Sequence, residues 1–317
     1  MTRKWRIALL VLVGVTISFG YASAQKMKFA TPIKFYPPYA LPALTAEAKG
    51  FWKQNGLDAE WIPFKGSVAM TQALAAGSIN IGAGAVAGIL QAAGRGLPVL
   101  AVAQLDTRDR YAMWVRTAGK INKPEDLKGK KIGVSRIGGL DYAFSIVILK
   151  TLGLEKEVRF IGTGGILESI AMFKTGSIDA RLASYYAFIR LKVGGQAREL
   201  LLLEDYLPKR WVSSVVFVRR PFLVKEPETI RRTVKTMIQT INFIAENRAW
   251  SIKKMKAEFR YNDEAAAFIY RMLNYTKDGK IDVEGLNNVR KLLIGAGIIT
   301  EEKTPPLREL YSPDFVR

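Results

Sequence analysis

The sequence predicts an α/β chain of two similar lobes, each a mainly parallel sheet flanked by helices, joined by two crossing strands. Three observations predict this. A phrase is written twice: "AAGSINIGAG" at 75–84 returns as "KTGSIDARLAS" at 174–184, sharing Gly-Ser-Ile followed by Asn or Asp. Strand-like and helix-like segments alternate in the same order around both copies, which implies parallel pairing. Two extended passes also flank the second copy, as a chain needs to enter a second lobe and return.

In the first half, "KMKFA" (26–30) alternates like a short strand, and the loop "TPIKFYPPYALP" leads into "ALTAEAKGFWKQNG", helical in composition and ending at Gly56. "LDAEWIPF" reads as a strand, "SVAMTQALAAG" as a helix and "SINIGAG" as a third strand. The second half repeats the order: "KKIGVS" (130–135), a helix ending at Gly153, "EVRFIG", a helix ending at Gly176, and "SIDARLAS". Gly77 and Gly176 suit the left-handed residue that stops a helix, because glycine has no Cβ to clash there. Ile79 and Ile178 then begin buried strands. A tight helix-to-strand turn alone selects such residues; the matched order of five elements is what argues for a duplicated unit.

Between the halves, "PVLAVAQLDTRDRYAMWVR" (98–116) is strand-like on both sides of Arg108-Asp109-Arg110, which is expected to be a solvated crossing. "RELLLLED" and "WVSSVVFVRR" (211–220) supply the return. The remainder is helical: Glu226-Pro227 opens a segment with Ile230, Val234, Met237, Ile241 and Ile244 on one stripe. Two further helices follow, and all are expected to pack over the first lobe. The division is therefore 25–108 and 215–317 for the first lobe and 109–214 for the second.

Residues 1–24 read as a cleaved secretory leader. "MTRKWR" is a basic start, "IALLVLVGVTISF" an apolar run too short to span a bilayer comfortably, and "ASA" a small-residue cleavage site. A periplasmic, soluble product is expected. Without Arg3, Lys4 and Arg6, Lys+Arg falls from 48 to 45 against 28 Asp+Glu, leaving +17. Such an excess favours anionic partners without choosing among them. The chain has no Cys and no His, which excludes disulfides, thiol nucleophiles, the usual zinc sites and His-based triads. No cofactor or metal is expected, and catalysis is disfavoured because His is the commonest acid or base near neutral pH.

Ligands of open α/β sheets lie beyond the carboxyl ends of parallel strands, where helix N-termini point. Four segments would meet there: "KFYPPYALP" (34–42), "GAGAVAG" (82–88), "SRIGGLDYAF" (135–144) and "ASYYAFI" (183–189). Gly138 and Gly139 would let main-chain N–H groups approach an anion at a helix start. Gly84 and Ala85 are counterparts of Ala183 and Ser184, with Ser184 adding a hydroxyl, and Ser135 precedes the glycine pair. Tyr36, Tyr39, Tyr142, Tyr185 and Tyr186 offer apolar faces with polar tips. Arg136 and Arg181 could pair an anion. Asp106, Asp109 and Asp141 leave a carboxylate-based enzyme as a minor alternative, without a spacing that recommends it. Dispersed basic residues argue against nucleic-acid binding.

The segments "EAKGFWKQNGLDAEW", "GSVAMTQALAAGSINIGAG", "KPEDLKGKKIGVSRIGG", "FKTGSIDARLASYYAFI" and "DGKIDVEGLNNVRKLLIGAGII" resemble, in order and spacing, the periplasmic solute-binding proteins of ABC importers. The resemblance is to the group that binds sulfonates, taurine, nitrate or the thiamine pyrimidine precursor. It implies a monomeric, two-lobe (type II) receptor that closes by a hinge on a small, anionic organic solute and docks on an inner-membrane permease. Solute sensing through the same closure is the alternative. Members often carry Trp and Pro where this chain has Ser184 and Tyr186. A relative that makes the thiamine pyrimidine depends on His and Cys, absent here.

Overall fold

The computed structural model describes residues 26–316, so the leader expected at 1–24 lies outside the described residues. Ten strands are present among them: β1 (Met27–Thr31), β2 (Ala59–Pro63), β3 (Ile81–Ala85), β4 (Val99–Asp106), β5 (Tyr111–Arg116), β6 (Lys131–Val134), β7 (Arg159–Gly162), β8 (Ala180–Ser184), β9 (Ala197–Leu202) and β10 (Ser214–Arg219). They form two five-stranded sheets, ordered β2-β1-β3-β10-β4 and β7-β6-β8-β5-β9. In each, three parallel strands come from a β-α-β-α-β unit and the fourth runs antiparallel. The repeat seen in the sequence is thus a repeat of topology.

The repeated phrase occupies equivalent turns. Gly77 and Gly176 take left-handed φ values of 72° and 80° at helix ends, and the following Ile79 and Ile178 are buried. An arginine closes each turn from the antiparallel strand. At the end of β5, Arg116 donates through Nη1 to the carbonyls of Phe173 (2.8 Å) and Ile178 (2.7 Å). At the end of β10, Arg219 donates its backbone N–H to Asn80 O at 2.9 Å, and its guanidinium lies against Gly77. These donors satisfy one carbonyl of a helix's last turn, Phe173 O, and two in the connections that follow, Ile178 O and Asn80 O.

The stripe on helix Pro227–Glu246 packs as its spacing requires: Ile230, Val234, Met237 and Ile241 join Leu100, Val102 and Val216 in one core. Helix Asp263–Met272, expected over the first lobe, and helix Arg248–Phe259 touch both lobes. Met255, Phe259, Ala265 and Ile269 share one core with Ala40, Leu41 and Ile244 of the first lobe and with Tyr185, Tyr186 and Phe188 of helix Tyr185–Val193 on the second. Tyr261 fixes this by donating to Tyr186 O at 3.1 Å. Their apolar periodicity shows that they bury a face, but not against which sheet.

The crossing expected to be solvated at 108–110 is only partly so: Arg108 and Arg110 are half-buried, and the carboxylates within and before it are buried. Asp106 is fully buried and Asp109 is 5% exposed. Asp109 accepts from Trp211 Nε1 at 2.7 Å and from Ser213 Oγ at 2.9 Å, which ties the outgoing crossing to the return. Asp106 accepts the N–H of Arg108 at 2.9 Å. A buried carboxylate needs such donors, and the folded chain supplies them from about a hundred residues away.

Candidate functional site

The two crossings decide which ends of the sheets meet. Tyr111 pairs with Ser184 across β5 and β8, while Ser214 pairs with Ala85 and with Asp106. The carboxyl ends of β3 and β8 therefore both abut the crossings, and the loops that follow the parallel strands share one interlobe region. Helices start there at Pro37, Ser67, Val86, Leu140, Ile166 and Tyr185, none of them with a side-chain cap. Helices Asp263–Met272 and Val283–Gly295 are capped by Asn262 and Asp282 at 2.8 and 2.9 Å, while Pro227–Glu246 and Arg248–Phe259 are uncapped as well. Uncapped first turns carry partial positive charge and favour an anionic or oxygen-bearing group.

A tyrosine cluster bridges the lobes at this place. Tyr36 precedes helix Pro37–Ala48 and stacks on Tyr39 with centroids 4.8 Å apart. It also meets Tyr186 of the second lobe edge-on at 4.8 Å. Tyr111 lies beside them, with Asp109 and Tyr36 among its charged and polar neighbours; burial above all pushes its hydroxyl far above the usual phenol range. Tyr275 closes the group by donating to Pro37 O at 3.1 Å. Burial is also the main reason that the carboxyl of Asp106 is pushed up to about 7 and that of Asp109 to about 6.

Each candidate residue has a definite place. Tyr36 and Tyr39 are in the cluster, and Gly84, Ala85 and Ser184 stand at the strand ends beside it. Tyr185 does not face it: its ring lies against Trp114 at 5.0 Å and Phe268 at 5.6 Å. Its neighbour Tyr186 faces Tyr36 instead. Tyr142 leans on Phe160 at 4.8 Å, toward the β7 side of the second sheet. The loop at 135–141 is closed on itself. Asp141 accepts the Ser135 N–H at 2.6 Å and its hydroxyl at 2.8 Å, and the Gly139 N–H donates to Arg136 O at 3.0 Å. The Ser135 and Gly139 donors are thus engaged inside the loop, while Gly138, at φ 76°, makes the turn.

Arg181 lies beneath that loop. It is 6% exposed and pairs with Asp141 at 2.8 Å, while Nε donates to Ser169 Oγ at 2.6 Å. Arg110 pairs with Glu204, so both of these arginines have carboxylate partners, and Arg136 is exposed. Sequence reasoning missed Tyr111, Arg110 and Ser214, which no local motif marks. It also missed the loop Gly162-Thr163-Gly164-Gly165 before helix Ile166–Thr175. That loop's pattern, two glycines before a helix following a strand, matches the one chosen at 138–139 and could have been found the same way.

Comparisons with known proteins agree with this architecture. The chain is 28% identical to the taurine-binding periplasmic protein of Escherichia coli (strain K12) over 223 residues, 68% of this chain and 67% of that one. It is 24% identical over 239 residues to the 4-amino-5-hydroxymethyl-2-methylpyrimidine phosphate synthase of Saccharomyces cerevisiae, covering 67% of this chain and 66% of that relative's length. The solved structure of the periplasmic aliphatic sulphonate binding protein SsuA from Escherichia coli superposes with a TM-score of 0.78 at 16% identity, covering 91% and 92% of the two chains. The fold is that of the periplasmic binding proteins. The "NMT1/THI5 like" family model matches residues 37–249, and the chain belongs to that family.

Proposed function

We propose that this chain is the extracytoplasmic solute-binding subunit of an ABC importer, without catalytic activity of its own. It captures a small organic solute between its lobes, closes about the 106–111 and 203–214 crossings, and presents the solute to an inner-membrane permease. Its place of work is the periplasm and its working form a monomer. The observation that carries this reading is the interlobe tyrosine cluster, placed where uncapped helix starts from both lobes converge. Tyrosine faces suit a planar or aromatic body, and helix N-termini suit a carboxylate or sulfonate group. Among sulfonates, nitrate-like anions, aromatic carboxylates and pyrimidines, an aromatic carboxylate or sulfonate uses both features. Support for transport rather than synthesis comes from the missing His and Cys and from the buried Asp109, whose two oxygens are both engaged in structural hydrogen bonds.

A thermal-shift screen of these solutes tests the reading. A ligand at 100 times its Kd adds about 2.7 kcal/mol of apparent stability, and the bound solute is recovered chemically unchanged. Solution scattering then records a smaller radius of gyration with solute bound. Dimensions that stay the same with a tightly held solute, or turnover of the solute, overturn the proposal.

A further inference from the structure

Seven large apolar side chains stand exposed among the described residues, and five of them sit on the two rims of the interlobe region. On the first lobe these are Phe35 (55% exposed) and Val68 (61%); on the second, Ile137 (57%), Ile166 (45%) and Leu167 (79%). Single exposed apolar residues are ordinary on any protein surface. Here their positions correspond between the lobes. Phe35 and Ile137 lie in the loops after β1 and β6, the equivalent strands of the two sheets. Val68 and Leu167 are each the second residue of the helix that follows β2 or β7. All five therefore lie at the carboxyl ends of parallel strands, the ends that the crossings bring together.

The floor of the same region has the opposite character. Five buried side-chain polar atoms have no hydrogen-bond partner among the described residues, and three of them gather at the crossings: Arg110 Nε, Tyr186 Oη and Ser214 Oγ. Ser214 pairs with Ala85 and Asp106, the Arg110 carbonyl accepts the Tyr185 N–H, and Tyr186 meets Tyr36. Leaving a buried donor unpaired costs about 1–3 kcal/mol, so groups of this kind call for a partner. An N–H donor and two hydroxyls left without partners in one region suit an oxygen-bearing head group.

Resting on the interlobe reading above, we infer that the solute is an amphiphile. Its oxygen-bearing head sits at the crossings on Arg110, Tyr186 and Ser214, and its alkyl or aryl body reaches the rims and is held by Phe35, Val68, Ile137, Ile166 and Leu167. Compact ions such as nitrate and taurine reach the floor but leave the rims uncovered, and bind weakly. The rims are the solute's contact and not a seam that closes rim on rim.

The test is titration calorimetry on the mature protein with n-alkyl carboxylates and n-alkylsulfonates from methyl to octyl, with benzoate and benzenesulfonate as planar probes. Affinity should rise about fourfold for each methylene that becomes buried. In the double variant Ile137→Ser/Leu167→Ser, whose exposed positions leave the cores intact, that dependence on chain length should flatten while the shortest binding probe keeps its affinity. Tyr186→Phe should weaken every probe by a similar factor, independent of length. Equal affinity for short and long probes, or an unchanged length dependence in the rim variant, overturns the inference and leaves the receptor reading standing. A rim variant that alters only the scattering dimensions, with length dependence intact, also overturns it in favour of rim-on-rim closure. If no member of either series binds, the inference falls, and the receptor reading is decided by the thermal-shift screen with nitrate-like anions and pyrimidines.

Discussion

The two lobes share a topology but solve one position differently. Register aligns Gly82 of β3, paired with Ala30 and Phe217, with Arg181 of β8, paired with Gly133 and Trp114. In the first lobe the space belongs to a ring. A Cβ on Gly82 would meet Ala30 O at 2.3 Å and Phe217 Cζ at 2.9 Å. In the second lobe glycine moves to the neighbouring strand. A Cβ on Gly133 would meet Arg181 Cδ at 2.9 Å, and the space holds the guanidinium that pairs with Asp141. One layer is therefore filled by packing and the other by a buried ion pair that ties loop 135–141 to helix Ile166–Thr175 through Ser169. The difference teaches that the duplicated scaffold fixes backbone paths, while each lobe chooses how the loops at its interlobe end are held.

The most damaging way to probe that contrast is Arg181→Met. It leaves Asp141 buried without a counter-charge and should cost about 3–5 kcal/mol, read from the denaturant midpoint. Adding Asp141→Asn should recover part of the loss, because the neutral amide avoids the stranded charge and keeps an acceptor for Ser135. A double variant no better than the single would show that Arg181 acts by packing alone. In the first lobe, Phe217→Ala should cost about 3–5 kcal/mol through the cavity it opens, with no rescue by any charge change.

A smaller effect separates the lobes from the crossings that join them. Asp106 and Asp109 keep protons in the folded chain at pH values where the unfolded chain has released them. Their contribution to stability is therefore complete below the ordinary value of 3.8 and is lost as pH rises through about 6 and 7. Asp106→Asn should remove part of that fall, seen as the difference between variant and parent midpoints from pH 4 to 8. Identical pH profiles would show that burial at the crossing does not set this carboxyl. Smallest of all is the helix-start contrast. Asn262→Ala should cost about 1 kcal/mol as a lost cap, whereas Ser184→Ala should leave the stability of the solute-free protein nearly unchanged. An equal loss at both positions would mean that Ser184 does cap its helix.

Local chemistry made the fold legible. Left-handed glycines, strand runs and helical stripes are set by residues within a few positions of one another, so the five-element repeat and the stripe on helix Pro227–Glu246 could be read directly. The candidate site depended on distant partners. Asp109 looked solvated because its run is charged, yet the groups that allow its burial are Trp211 and Ser213. Choosing between Tyr185 and Tyr186 requires the phase of a helix at its first turn, which two adjacent tyrosines do not reveal. Arg181 sits in a strand whose partner at Asp141 lies across a loop, so neither its pairing nor its burial is written locally.

The strand orders also set a timetable for synthesis. Every strand of the second sheet lies within residues 111–202, so that sheet can be completed as soon as this stretch leaves the ribosome. In the first sheet β3 and β4 flank β10, and no hydrogen-bonded ladder joins them until residues 214–219 have emerged to lie between. The amino-terminal half of the molecule thus waits, unfinished, for a strand made after its sister has closed. During that interval its open edges are what a holding chaperone would have to cover.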